Sequence, residues 1–194
     1  MPILGVVASS YLKSTDTGSM FAIASTTVGT AVSSVTFSNI IGSYTHLEIR
    51  WSMQTSRATY NLDDLYIQLG NGTIDTGTNY SAHQMIGTGT SPVTANNNTS
   101  TQFGLLAGQI GTTVGATFGI GVMTIPDYTN TNKYKTARII ALNDTNGQTS
   151  GYNGWLGLDS FAWRSKSAID TIKFTPANGN FTTGTRISIY GIKG

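Results

Sequence analysis

Apolar and polar residues alternate with a period of two through most of this chain, and helical periodicity is almost absent. Apolar side chains spaced this way share one face only on an extended backbone, so the pattern predicts an all-β protein. The clearest strand is Tyr44–Met53, with Leu47, Ile49, Trp51 and Met53 on one face and His46, Glu48, Arg50 and Ser52 on the other. Three ionisable residues on one face predict that this face is solvated or lies at an interface. Leu65, Ile67 and Leu69 repeat the pattern opposite Tyr66 and Gln68. Gly70-Asn71-Gly72 then reads as a turn, because Gly and Asn tolerate positive φ.

Further strands are predicted at Phe21–Ala24, Ser34–Phe37, Tyr80–Met85, Gln102–Leu106, Thr117–Thr124, Ala137–Leu142, Asn153–Leu158, Thr171–Thr175 and Arg186–Ile192. Short strands at fairly even spacing predict a sandwich or a barrel. The turn-rich stretches Gly87–Ser100, Pro126–Asn132, Asn143–Gly151 and Pro176–Gly184 read as loops, with Thr90–Thr101 the expected mobile one. The last strand is expected to be tied into a sheet. Residues 20–194 are expected to form one β domain, preceded by an arm over 1–19. The arm starts MPILGVVASS, whose apolar run is too short, and its flank too uncharged, for a signal peptide. Ile3, Leu4, Val6 and Val7 are its candidate anchoring residues.

Composition narrows the chemistry. Of 194 residues, 10% are charged, none is Cys, two are His, and the net charge is +2. One domain of this length buries a core without staples. The bases do not cluster, so phosphate-driven nucleic-acid binding is not expected. No stretch reaches the roughly 18 apolar residues of a membrane-spanning helix. Catalysis near neutral pH draws on His, Cys, Lys or paired carboxylates held close together, and this chain has few of them.

Each candidate site has a plainer reading. Asp63, Asp64 and Asp75 offer oxygen ligands for a hard cation, but without a defined loop spacing they read as turn carboxylates. The loop Asn143-Asp-Thr-Asn-Gly147 resembles the start of a calcium loop, lacks the downstream glutamate, and reads as Asx-turn chemistry. His46 and His83 lie in separate predicted strands and read as polar-face residues. Glu48 with Asp63 would make a glycosidase pair only at the right separation, and Glu48 shares a face with Arg50, which favours a surface ion pair. GATFGIG at Gly115–Gly121 has no following helix to cradle a phosphate, so its glycine face is expected to be approached by another backbone. Trp51 and Trp155 are expected in the core. Tyr128, Tyr134, Tyr152 and Trp163 are candidates for an oligomer interface or for stacking on sugars. No catalytic, cofactor or metal residue is assigned.

Val35-Thr-Phe, Tyr44-Thr-His-Leu47, Asn79-Tyr80, Asp127-Tyr-Thr-Asn-Thr-Asn-Lys-Tyr-Lys135 and Ile187-Ser-Ile-Tyr-Gly-Ile-Lys-Gly194 together resemble small virion structural proteins of tailed bacteriophages, largely from aquatic and cyanobacterial phages. The similarity runs from about Ser25 to the C-terminus. It implies an antiparallel jelly-roll-like β-sandwich on the outside of the particle, as a capsid decoration (cement) protein or a tail-fibre part. The expected partners are other virion proteins, the major capsid protein or tail proteins, and further copies of the chain, with a homotrimer as the expected form. A host glycan is the partner in the alternative reading, a tail-fibre or adhesin module. The absence of a heptad run argues against a fibre shaft and for the capsid.

Overall fold

The computed structural model describes residues 18–88, 94–101, 105–145 and 154–194, with residues 94–101 and 105–109 described by backbone alone. The class read from the alternation is the class observed: the described residues form strands and turns, with no helix among them. In chain order the strands are β1 (Met20–Thr27), β2 (Val35–Phe37), β3 (His46–Thr55), β4 (Leu62–Asn71) and β5 (Thr73–Ile74). There follow β6 (Tyr80–Gly87), β7 (Thr94–Thr101), β8 (Leu105–Thr112) and β9 (Gly119–Pro126). The last four are β10 (Lys135–Asp144), β11 (Gly154–Trp163), β12 (Thr171–Pro176) and β13 (Arg186–Ile192).

These make a 13-stranded mixed sheet with two sections. The larger runs β1-β13-β3-β9-β10-β11-β6-β7, every neighbour antiparallel. The smaller runs β2-β12-β4-β8, with β5 folded back on β4. They join where Gln54–Thr55 of β3 pairs in parallel with Gly111–Thr112 of β8. From there β8 lies against β10, β11 and β6. The core fills the space between. Leu47, Ile49 and Met53 of β3, Met123 and Ile125 of β9, Ile139 of β10 and Ile187 and Ile189 of β13 face Leu65, Ile67 and Leu69 of β4 and Phe174 of β12, all buried. Each such side chain contributes about 1.5–3 kcal/mol on leaving water. The Tyr80 hydroxyl ties β6 to the smaller section, accepting from the Leu69 N–H and donating to the Asp75 carbonyl.

Three expectations need correction. The polar stretch Gly87–Ser100 contains β7, paired antiparallel with β6. Its TANNNTST sequence has no apolar alternation, so pairing rather than pattern specifies it. Of the strand expected at Gln102–Leu106, residues 102–104 lie outside the described residues, and the strand described there, Leu105–Thr112, runs six residues past the expected end, because Gly108 and Gly111 interrupt the apolar signal. Lastly, the close neighbour of Gly121 is not a backbone. A Cβ there would lie 2.2 Å from the Trp51 indole, its register partner on β3. The turn at Gly70–Gly72 is as expected, with Gly72 at φ 71. The C-terminal strand β13 is internal, paired on both edges with β1 and β3.

Candidate protein-binding face

The outer face of the larger section divides into two halves. On β1, β13 and β3 several outward side chains pair with one another: Glu48 with Arg50 at 2.7 Å, Ser25 with Ser188 at 2.9 Å, and the Arg50 guanidinium over the Tyr190 ring at 5.5 Å. On β9, β10, β11 and β6 the outward positions are apolar. Val122, Ile140, Leu158 and Met85 are cross-strand neighbours in one row, and Ile120, Leu142, Leu156 and Gly87 in the next. The seven with side chains are between 37% and 54% exposed. Thr124, Arg138, Ser160 and His83 form the polar row at one end of this patch, and exposed Asp144 lies at the other.

The inward face beneath explains how these strands are held. Trp51 lies across Gly121, and Trp155 folds over Gly157, where a Cβ would lie 2.0 Å from the indole. Large rings over small residues fill the layer in rows that alternate with the exposed aliphatics. Beside them sit buried polar groups: Asp159 on β11, its register partner Gln84 on β6, and Asn143 on β10. Among the described residues neither Asp159 oxygen completes a well-formed hydrogen bond. Burial pushes this carboxyl up to about 7, with Gln84 offsetting part of the effect. At the ends of β6, β10 and β11 a depression of about 360 Å³ is lined by Thr88, Leu142, Asn143, Asp144, Trp155 and Leu156, among others, so it continues the apolar face. Asp144 is the one titratable group in that lining.

The sequence-derived candidates are not brought together. Tyr128 is fully buried and its hydroxyl donates to the Ile41 carbonyl. Trp163 is buried, with its indole N–H on Asp75 at 2.8 Å. The flanking Arg164, Ser165 and Lys166 suggested a surface position that the ring does not have. Burial alone would raise Asp75, but hydrogen bonds from Trp163, Asn79 and the Gly77 N–H outweigh it and hold the carboxyl below its usual range. Tyr134 is exposed. Tyr152 and the arm residues Ile3, Leu4, Val6 and Val7 lie outside the described residues, as does part of the Asn143–Gly147 loop.

Asp63 is buried under Thr55, Asn178 and Arg57. Asp75 is bound elsewhere, to Trp163 and Asn79. Glu48 pairs with Arg50 on the outer face and does not meet Asp63. His46 on β3 and His83 on β6 are separated by three intervening strands, about 19 Å at the usual strand spacing. His46 Nδ1 instead accepts the Asp127 N–H at 3.1 Å. Lys135 is a buried residue the pattern did not single out: its ammonium donates to the carbonyls of Asn130 and Lys166, and burial lowers its pKa.

The apolar face was missed because strands were read for one face only. The signal was present in GIGVM, ARIIAL and WLGL, where both faces of a strand carry apolar residues. The chain matches no protein-family model, no curated protein and no solved structure.

Proposed function

We propose that the chain is a non-enzymatic structural protein of a bacteriophage particle: a capsid decoration protein, folded as a jelly-roll-like sandwich, that works by burying its outer face against other proteins. The apolar half of that face carries the reading. It is charge-free at its centre and bounded by polar groups at both ends of its strands, the anatomy of a protein interface. Binding only the assembled state stabilises the particle by mass action. The antiparallel order of the larger section, and β8 lying over β10 and β11, support the sandwich. The strand and turn motifs that resemble virion proteins support the setting.

A tail-fibre or adhesin module is the second reading, and exposed Tyr134 favours it as a ring available to a sugar. Electron cryo-microscopy of particles carrying the chain separates the two. Copies over the shell, with shells lacking the chain disrupted at lower temperature, are the expected result. Copies confined to the tail, or glycan binding lost in Tyr134→Ala, would transfer the protein to the second reading.

A further inference from the structure

We infer that the apolar half of the outer face binds the same face of a second copy, about a two-fold axis that lies in the interface and runs across the strands. This rests on the reading that the face binds protein. It adds the partner and the geometry.

Two observations commit the face to a second copy. The first is area. The seven exposed aliphatic side chains leave about 600 Å² open, at the upper end of what a monomer exposes in one patch. Face-to-face contact would bury about 1,200 Å² in total, within the range of specific interfaces. The second is the order of residues along β10. After Thr136, its exposed positions are Arg138, Ile140, Leu142 and Asp144: cation, apolar, apolar, anion.

An axis across the strands sets each strand against its own copy, reversed. Arg138 then faces Asp144 of the second copy, twice by symmetry. Val122 faces Ile120, Leu158 faces Leu156, and Met85 faces the space at Gly87. An axis along the strands would instead bring Arg138 over Ser160 and Asp144 over Gly154, leaving both charges against uncharged groups. The charge pattern therefore selects the first axis. Aligned sheets cross at about 30°, and the long arginine stem spans the offset. A face closed by one copy about a two-fold axis makes pairs, so a trimer would use another surface.

The test is sedimentation equilibrium of the full chain over a concentration series, with thermal unfolding as the control for folding. The wild type is expected to dimerise, and Leu158→Lys to be monomeric and to melt cooperatively at the temperature the wild type shows when diluted to monomer, since Leu158 is already exposed in one copy. Arg138→Asp and Asp144→Arg are each expected to weaken dimerisation by about tenfold. The double variant Arg138→Asp/Asp144→Arg is expected to restore it. A wild type monomeric at every concentration, or a dimer indifferent to Leu158→Lys, overturns the inference. Weakened single variants that the double variant does not rescue overturn the axis.

Co-sedimentation with phage particles separates this inference from the functional reading. A monomer that binds particles through Leu158 fails the inference and keeps the reading. A dimer that has no place on the particle does the reverse.

Discussion

The two halves of the outer sheet face are made by strands of one continuous section, yet they answer the same problem oppositely. On β1, β13 and β3 polar outward groups engage one another: Glu48 with Arg50, Ser25 with Ser188, Arg50 over Tyr190. On β9, β10, β11 and β6 the outward aliphatics stand in cross-strand rows and, among the described residues, are left 37% to 54% exposed. A self-satisfied polar surface gains little from a partner, because its hydrogen bonds already exist. An apolar surface gains on being covered. On the proposed reading, that difference assigns binding to the apolar half.

The largest expected effect breaks the polar half outright. Deleting Ile187–Gly194 removes nearly all of β13, leaves β1 without its pairing strand and strips one edge of β3, which keeps β9 on the other, so the truncated chain is expected to lose cooperative unfolding by circular dichroism. A soluble truncation with an unchanged melt would contradict this placement.

Next come the supports under the apolar half. Asp159 has a folded-state pKa raised to about 7. Between the unfolded carboxyl value and 7 the folded protein therefore binds more protons than the unfolded chain. Stability is then expected to fall as pH rises through that window, by up to about 4 kcal/mol, and to level off above it. Asp159→Asn is expected to remove this slope in urea unfolding measured from pH 4 to pH 8. Asp75 has the opposite sign: its depressed pKa contributes stability that is present above the unfolded value and lost as pH falls through the folded value.

Overpacking is the third test. Gly121→Ala sets a methyl against the Trp51 indole, and is expected to cost about 1–3 kcal/mol and lower the melting temperature. An unchanged melt would mean that Trp51 has room to move. The smallest effect belongs to the polar half: Glu48→Gln breaks an exposed ion pair and is expected to change stability by less than about 1 kcal/mol, leaving association untouched.

Period-two alternation was enough for the class and for most strands, because burying Leu47, Ile49, Trp51 and Met53 together fixes both extension and facing. It failed at β7, where Asn and Thr carry no facing signal. It also could not decide Trp163, since burial of that ring depends on Asp75, 88 residues away. The apolar face was legible only in part. Ile140 and Leu158 read as core residues until the sheet order shows that the core side of their strands is already taken by Ile139 and Phe161.

Two exposed methionines, one on each half, offer the most direct test of that face. Met85 lies in the apolar rows and Met20 on the polar half beside Arg50, whereas Met53 and Met123 are fully buried. Mild peroxide oxidation of the assembled protein, read by mass spectrometry, ranks their access to solvent. Met85 is expected to be protected nearly as well as Met53 while Met20 oxidises freely, with the protection lost in Leu158→Lys. Equal oxidation of Met85 and Met20 in the assembled protein would contradict the assignment of the apolar half as the binding face.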